Sequence, residues 1–266
     1  MKILKVINEI NSNISLRFYA VFYRNFRVWL RFYKPSIIGD ILEPLLFLAA
    51  LGLGIGKFIH NINGTPYLLY IIPGIISSSS MYAASFEGTF GSYTRMTTKG
   101  IFDAILVTPV SIEEIVAGEV LWSAVKAFMS GLAVLLISLI FFRPYISVFI
   151  LLIPIIIILN GLLFASLSLF ITSFAPSYDF FSYYFTVAIS TMFLFSGVFY
   201  PVSALPVIIR YIVYIMPLYY TVQITRALFL GRLDLLPLLM DLLIIIIFSL
   251  IFFYLSVYFI KKRMIS

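Results

Sequence analysis

Three acidic residues in or near long apolar stretches, Asp40, Glu43 and Glu87, are the strongest candidates for chemistry in this sequence. A carboxylate inside a membrane is costly, so it indicates either a functional site or an ion pair. Asp40 and Glu43 are three residues apart and would share one helix face, where they could form an acid pair for hydrolysis or a proton relay. All three could equally reach the membrane interface or pair with nearby arginines, and we favour that structural interpretation.

A glycine-rich string from Gly52 to Phe58 is the nearest approach to a phosphate-binding loop. It has Phe58 after Lys57, where such a loop needs a hydroxyl, and it lacks a glycine five residues before Gly56. The string lies inside an apolar run, which favours close helix packing through small residues. We therefore expect no nucleotide hydrolysis by this chain itself.

Metal and thiol chemistry is poorly supported. The chain has no cysteine, which excludes disulfides, thiolate metal sites and cysteine nucleophiles, and one histidine cannot supply a paired-histidine motif. That residue, His60, is expected in a solvated loop. The sequence predicts no catalytic residue and no metal site.

The composition predicts an all-α integral membrane protein. Of 266 residues, 62% are hydrophobic and 11% charged, whereas soluble domains have about 45–50% apolar and about 25% charged residues. Six stretches approach the ~20 residues that a spanning helix needs. The predicted helices are Ser36 to Phe58, Tyr67 to Phe90, Val116 to Phe142, Ile146 to Phe174, Phe180 to Tyr200 and Leu236 to Ile260.

The distribution of Lys and Arg predicts that both termini are cytoplasmic, because the cytoplasmic side usually holds the excess. Twelve of these residues fall in the N-terminal segment, the second loop with Arg95, and the tail. Five fall on the other side: Lys57, Arg143, Arg210, Arg226 and Arg232. The basic residues lie at the edges of apolar segments, so the net charge of +7 does not indicate a nucleic-acid partner.

The predicted organisation has three parts. Residues 1–35 form a cytoplasmic amphipathic segment, residues 36–260 a six-helix transmembrane domain, and residues 261–266 a basic cytoplasmic tail. Within the domain, residues 91–119 form the longest polar loop. Residues 201–235 are repeatedly interrupted by Pro and Gly, which favours short re-entrant helices over a continuous span.

Residues 14 to 34 have the pattern of an amphipathic helix. At 100° per residue, five cations fall within one arc and aromatic residues lie opposite. The cations are Arg17, Arg24, Arg27, Arg31 and Lys34, and the opposite face has Ile14, Phe18, Phe22, Phe26, Trp29 and Tyr33. We expect this helix at the membrane interface, with its rings at the acyl boundary and its arginines among lipid phosphates or against an acidic partner. The alternative is a basic flank that only sets orientation.

The loop from Gly91 to Glu119 has two helical signals. Ile101, Phe102, Ile105 and Leu106 have helical spacing before Pro109, and Ser111 can cap a second helix. The pattern predicts two short helices that meet at a proline.

Several stretches resemble the permease subunits of type-two ABC exporters, most closely the branch that contains the nodulation lipo-oligosaccharide exporter permeases. They are Tyr70 to Arg95, Phe102 to Val110, Gly118 to Trp122, Ala175 to Phe181 and Phe193 to Pro201, followed by Leu205-Pro206 and Pro217-Leu218. They cover nearly the whole membrane region in this order. The resemblance implies a homodimer in the inner membrane that exports an amphiphilic, lipid- or glycan-linked substrate. It also implies separate cytoplasmic ATPase subunits that bind ATP and Mg, with no cofactor on this chain.

The resemblance also implies roles for particular residues. A coupling helix that seats in the ATPase corresponds to residues 99–109, with a second contact near residue 178. The implied coupling residues are Lys99, Gly100, Phe102, Asp103, Leu106, Thr108, Pro109, Glu113, Glu114, Glu119, Tyr178 and Asp179. The residues that could line the substrate path or gate are Glu43, Glu87, Phe193, Phe199, Tyr200, Pro201 and Pro206.

Two other functions remain open at this stage. An intramembrane enzyme acting on lipid-linked substrates would use Asp40, Glu43 and Glu87. An ion-coupled secondary transporter would need charges deep in its spans, and the span centres are nearly free of them.

Overall fold

A computed structural model describes residue 7, residues 10–142 and residues 147–265, but not the side chains of residues 35–38, 40, 41, 53 and 142. Several predictions fall outside these described parts. They concern the Asp40 carboxylate, Lys2, Lys5 and Arg143 in the charge count, and residue 266 of the basic tail.

The described chain is almost entirely helical. Its α-helices are α1 (Phe18–Trp29), α2 (Tyr33–Ala49), α3 (Tyr67–Phe86), α4 (Ile101–Leu106), α5 (Ile112–Phe142), α6 (Ile153–Thr172), α7 (Asp179–Tyr183), α8 (Ser190–Phe195), α9 (Val207–Val213), α10 (Pro217–Leu230) and α11 (Leu235–Ile265). Wider π-helical turns extend or join them at Ala50–Gly54, Glu87–Gly91, Thr94–Thr98 and Tyr184–Ile189, and tighter 3₁₀ turns occur at Ile55–Lys57, Val148–Leu152 and Val202–Ala204.

Four helical stretches among the described residues are long and apolar enough to cross a membrane. They are Tyr67–Thr98, Ile112–Phe141, Val148–Thr172 and Leu235–Ile265. Helices α9 and α10 meet at 87° and would make a fifth span if they were one broken helix. The all-α membrane architecture is thus supported, whereas spans at the first and fifth predicted positions stay predictions.

A short hairpin marks one end of the helix bundle. Asn61–Ile62 (β1) pairs antiparallel with Thr65–Pro66 (β2), and Asn63 and Gly64 between them have φ values of 50° and 74°. Two positive φ values in succession are what a two-residue type I′ turn requires, and Asn-Gly is its preferred sequence. We call this end the hairpin end. The opposite end, with α4 and the C-terminus of α3, is the loop end.

The predicted pair of short helices in the polar loop is half right. Helix α4 forms as expected, but the second helix is the start of α5, which begins at Ile112 and not at Val116. Ser111 Oγ accepts the Glu114 N–H at 3.2 Å, and the Glu114 carboxylate accepts the Ser111 N–H at 2.8 Å. This capping box satisfies the first free donors of the helix. The predicted Ser111 cap is confirmed.

The predicted basic tail is also part of a helix. Helix α11 extends to Ile265, because its last turns are bonded to neighbouring elements. Lys261 Nζ lies 2.8 Å from a Glu113 carboxylate oxygen, and Arg263 donates to the carbonyl oxygens of Thr172 and Ser173 at 2.8 and 3.2 Å.

Helix α8 ends at Phe195, five residues before the predicted end at Tyr200. Gly197 follows with φ of 79°, and its carbonyl oxygen accepts a bond from Arg226 at 2.7 Å. Beyond it, Pro206 directly precedes α9, and Pro217 is the first residue of α10. The expectation that no uninterrupted helix crosses this region is confirmed.

Helix α3 is the most buried of the four candidate spans, and α11 is the least. Four consecutive serines, Ser77 to Ser80, lie in the buried part of α3. Asn160 of α6 donates to the Ser77 carbonyl oxygen and accepts from Thr221 Oγ1 of α10, both at 3.0 Å. Small residues and interhelical hydrogen bonds hold membrane helices together, because lipid supplies no hydrophobic force between them.

Two glycines, Gly161 and Gly52, lie where neighbouring helical segments come close together. A Cβ on Gly161 would lie 3.1 Å from the Ala124 Cα, so α5 and α6 approach closely there. A Cβ on Gly52 would lie 2.2 Å from Leu68 Cδ1, which confirms the packing interpretation for that glycine. Gly54, two residues later, has no described atom within 4 Å of such a Cβ.

Replacing Asn160 tests the three-helix junction. Asn160→Ala removes two interhelical hydrogen bonds and should lower the free energy of unfolding by about 1 kcal/mol. We expect a fall of about 2–4 °C in the thermal unfolding midpoint in detergent. Asn61→Ala, in the exposed hairpin, is the control and should leave the midpoint unchanged. Equal shifts of the unfolding midpoint in both variants would contradict a stabilising role for the Asn160 hydrogen bonds.

Candidate functional site

A cavity of about 440 Å³ lies between α2, α3, α5 and the segment from α7 to α8. We call it the central cavity. Its walls are mainly apolar and aromatic, with a few serines and charged groups. They comprise Gly39, Glu43, Pro44, Phe47, Ile75, Ser78, Ser79, Tyr82, Ala83, Phe86, Glu87, Lys126, Ser130, Phe185 and Phe193.

The aromatic wall is built around Phe193 of α8. Its ring centroid lies 5.6 Å from both Phe47 and Tyr82 and 4.8 Å from Phe199, in edge-to-face arrangements. Such contacts favour fixed ring positions. Flat rings offer apolar contact, and the tyrosine hydroxyl adds a polar tip.

The polar wall comes from the central helix. Ser78 and Ser79 donate to carbonyl oxygens of their own helix at 3.2 and 3.0 Å, which leaves their oxygen lone pairs as acceptors. Glu43 is exposed, the Glu87 side chain is 15% exposed, and Lys126 is buried. The cavity therefore combines an apolar surface with hydrogen-bonding and charged groups, as a pocket for an amphiphile would.

The predicted path residues are partly brought together. Glu43, Glu87 and Phe193 line the central cavity, and Phe199 packs on Phe193. Pro201 lines a second cavity at the hairpin end. Tyr200 and Pro206 line neither cavity: Tyr200 is half-buried, and Pro206 is an exposed residue before α9.

A buried ion network joins the central cavity to the loop end. Arg95 Nη1 lies 2.8 Å from Glu87 Oε1, and its Nε lies 3.0 Å from both carboxylate oxygens of Glu119. Glu119 also accepts from Asn25 at 2.8 Å and from Ser92 at 2.7 Å. The prediction that Glu87 pairs with an arginine is confirmed. Arg95, counted as a loop cation, is a partly buried partner of two carboxylates.

Gly91 makes room for this network. A Cβ at position 91 would lie 2.5 Å from Glu87 Oε1 and 3.2 Å from Arg95 Nη2. Glu87, Gly91 and Arg95 are spaced by four, which places them on one helix face. Sequence analysis missed this signal because it treated residue 91 as the start of a loop.

The other two glutamates of the implied coupling set are also buried. Glu113 accepts from Lys261 and from Asn13 Nδ2, the latter at 3.1 Å. Glu114 accepts the Ser15 N–H at 3.0 Å and lies 3.4 Å from Arg17 Nε. Side chains held inside the chain do not offer a surface to another protein. In this structure these two and Glu119 hold neighbouring segments against α5, and their role in coupling stays a prediction.

Helix α1 packs against α5 through the aromatic face that was predicted to meet lipid. The rings of Phe22, Phe26 and Trp29 lie 6.1–6.3 Å from Trp122. A Cβ on Gly118 would lie 2.8 Å from the Phe18 carbonyl oxygen, so the two helices are in backbone contact. The apolar face is thus partly covered by protein, with its rings still partly exposed, and α1 is shorter than the predicted helix.

The cations of the predicted basic face differ in their partners among the described residues. Arg17 donates to the Pro109 carbonyl oxygen and pairs with Glu114. Arg24 donates to Asn25 Oδ1 at 2.9 Å, and burial lowers the pKa of its guanidinium. Arg27 lies 5.7 Å from the Tyr23 ring, and Arg31 is exposed. Membrane contact by these arginines stays a prediction.

The two stretches implied to contact an ATPase form one surface. Phe102 is 1% exposed and anchors α4, whereas Lys99, Asp103, Thr108 and Pro109 are exposed. Gly100 caps α4 with φ of 56°, and Leu106 is half-buried.

Tyr178 links the helical turn Thr94–Thr98, which precedes α4, to the second stretch. Its hydroxyl lies 2.8 Å from Thr94 Oγ1 and 2.9 Å from Thr98 Oγ1, bonds that lower the pKa of the phenol. Tyr93 donates to the Pro176 carbonyl oxygen at 2.8 Å. We call the exposed residues of 99–109 and 176–179, including Asp179, the loop-end surface.

Gly91→Ala tests the buried network without changing a charge. The added methyl group would push the Glu87 carboxylate away from Arg95, and overpacking of this kind costs about 1–3 kcal/mol. We expect a fall of several degrees in the unfolding midpoint. Gly54→Ala, where the methyl group meets no described atom, should show no loss.

A double-mutant cycle with Glu87→Gln separates the mechanism from general crowding. If Gly91→Ala acts by displacing the carboxylate, its effect should shrink in the Glu87→Gln background, because neighbouring residues are not additive. Additive losses would mean that the methyl group acts elsewhere.

Comparison with known proteins gives one family and several relatives. Residues 17–230 match the family model described as ABC-2 type transporter. The chain is 34% identical to Nodulation protein J of Rhizobium meliloti over 80% of each protein. It is 33% identical to Nodulation protein J of Sinorhizobium fredii over 93% of this chain and 94% of that protein. It is 28% identical to the inner membrane transport permease YadH of Escherichia coli over 87% of this chain and 88% of that protein.

Proposed function

This chain belongs to the ABC-2 type transporter family and is a transport permease, and we propose that it is the membrane subunit of an ATP-driven exporter. The cargo in this proposal is an amphiphilic, lipid- or glycan-linked molecule that moves outward. Because members of the family are transport permeases, the intramembrane enzyme is not retained as an alternative.

The observation that carries the proposal is the loop-end surface. Val107, at the end of α4, is 89% exposed although it is apolar, and it lies beside the exposed Thr108 and Pro109. Exposed apolar side chains with a polar rim are typical of a protein contact. A partner ATPase that binds ATP and Mg would seat on this surface. Phe102 beneath it would pass movement of α4 to the clusters around Tyr93 and Phe181.

The proposed topology has six crossings with the loop end in the cytoplasm. Segment Tyr33–Lys57 starts after α1 at the loop end, and segment Asp179–Phe195 starts beside Tyr178. Each is followed by an element at the hairpin end. Tyr254 donates to Asn11 Oδ1 at 2.9 Å, so the two described ends of the chain lie together. An even number of crossings in the inner membrane agrees with this.

The cargo class follows from the central cavity. Its aromatic wall suits an acyl chain or the flat face of a sugar ring, and its serines and carboxylates suit hydroxyl or amide groups. The cavity is lined by α2, α3 and the α7 to α8 segment, and a second copy of the chain in the implied homodimer would extend the path. A ligand that moves the Glu87 side chain would then alter its ion pair with Arg95 and so affect the loop end.

Val107→Asp tests the ATPase contact. A carboxylate in the centre of an apolar contact is left desolvated and unpaired. We expect the amount of ATPase that co-purifies with the permease to fall about tenfold, a change of ~1.4 kcal/mol. The partner in this test is a separate ABC ATPase subunit that is co-expressed with the permease.

Val207→Asp is the matched control, since Val207 is an exposed valine at the hairpin end. It should retain the ATPase. The proposal is contradicted if wild-type protein does not bind the ATPase, or if both aspartate variants bind it equally well.

Gly39→Leu tests the central cavity. Gly39 lines the cavity, and no described atom lies within 4 Å of a Cβ there, so leucine would fill space without a backbone clash. We expect ATP-dependent flipping of a fluorescent glycolipid in proteoliposomes to fall severalfold, with ATPase binding intact. Gly54→Leu also meets no described atom but lies outside the cavity, and it should transport normally. Equal transport by both variants would contradict the cavity as the path.

A further inference from the structure

The second cavity, at the hairpin end, has a different chemistry. It has a volume of about 450 Å³ and lies between the hairpin, the start of α3 and helices α9 and α10. Three arginines, Arg210, Arg226 and Arg232, line it, together with tyrosines and Gln223. No Asp or Glu is among the described residues that line it. Three positive charges thus share one cavity without an acidic wall residue.

Arg226 is the most buried of the three. It is 9% exposed, and its guanidinium lies 3.9 Å from the centroid of the Tyr70 ring. It donates to the Gly197 carbonyl oxygen at 2.7 Å and to the Tyr70 carbonyl oxygen at 3.3 Å. Within the described part of the chain, no carboxylate forms an ion pair with it. Carbonyl oxygens and a ring face supply partial negative charge, but they do not neutralise a buried cation.

The other two arginines leave donors for a ligand. Arg210 uses Nε to bond the Leu205 carbonyl oxygen at 2.7 Å and Nη2 to bond the Ser203 carbonyl oxygen, which leaves Nη1 available. Arg232 is exposed, and no side-chain bond of it is found to the described residues. The bonds to residues 203 and 205 therefore give Arg210 a partly structural role, whereas no such bond explains Arg232.

We infer that the hairpin-end cavity binds a phosphate-type oxyanion, carried on a polar group of headgroup size. Guanidinium groups recognise such oxyanions because their N–H donors match two oxygens at once. The phenols of Tyr70 and Tyr219 and the amide of Gln223 add neutral hydrogen-bonding groups. The volume falls within the ~300–1,000 Å³ of small-molecule sites, so an oxyanion would enter with the group that carries it. The inference does not depend on the direction of transport or on an ATPase.

The source of the oxyanion is either a lipid headgroup or a soluble anion. The test uses the full chain in dodecyl maltoside, a detergent without phosphate. Short-chain phosphatidylglycerol, inorganic phosphate and neutral dioctanoylglycerol are each titrated at constant ionic strength. Binding is measured by the shift of the thermal unfolding midpoint and, for the lipids, by native mass spectrometry. We expect phosphatidylglycerol to bind and dioctanoylglycerol not to stabilise the protein.

Arg232→Gln is the main variant, because Arg232 makes no described side-chain bond whose loss would unfold the protein. It removes a charge-assisted hydrogen bond, so the dissociation constant for phosphatidylglycerol should rise about tenfold. Arg226→Gln should weaken binding further if it folds, and Arg210→Gln is the substitute if it does not. Lys262→Gln removes one charge from the exposed loop end and should bind as wild type does.

Each outcome decides the inference. Stabilisation by phosphatidylglycerol alone, lost in Arg232→Gln, supports a lipid headgroup. Stabilisation by inorganic phosphate as well, lost in the same variant, supports an oxyanion site that needs no lipid. The inference is overturned if neither phosphate compound stabilises the protein, or if Arg232→Gln and Lys262→Gln weaken binding equally.

Discussion

The whole loop end depends on the neutralisation of charges that are withdrawn from water. Arg95 lies between Glu87 and Glu119, and the cost of burying any one of them would exceed the gain from a single pair. Further bonds from Asn25 and Ser92 complete the coordination of Glu119. Because these residues come from α1, from α5 and from the π-helical turns that extend α3, the electrostatic requirement also fixes how three helical segments meet. The π-helical turns on either side of Ser92 and Tyr93 adjust the path of α3 around this centre.

The middle of the bundle follows a different rule. Helix α3 has the lowest hydropathy of the four candidate spans, yet it is the most buried. Its serines and the amide of Asn160 are polar enough to bond across helices and small enough to allow close packing. Helix α11, one of the two most apolar spans, is left largely on the outside. This membrane protein therefore buries polar side chains between its helices, whereas a water-soluble protein buries mainly apolar ones.

Local signals in the sequence predicted local structure well. Four of the six apolar stretches, the Ser111 cap, the α4 spacing and the interrupted region after Gly197 depend on neighbours within a turn or two, and they appear as expected. Tertiary partners were harder to predict. The aromatic face of α1 indicated that something covers it, but periodicity does not say whether that is lipid or Trp122.

Charge counting does not show where an ionised side chain is paired or buried. Arg226 and Arg95 were assigned to loops because the sequence alone does not show a distant Gly197 carbonyl or Glu119 carboxylate.

The segment from Phe193 to Pro201 forms a wall of both cavities, since Phe193 lines one and Pro201 lines the other. Gly197, midway between them, is held by Arg226. A ligand that moves this short segment at one end changes the shape offered at the other. Thermodynamic linkage then requires that the two occupancies alter each other's affinity by the same factor. If the free energy of linkage is unfavourable, a ligand in the hairpin-end cavity weakens binding in the central cavity; if it is favourable, each ligand strengthens the binding of the other.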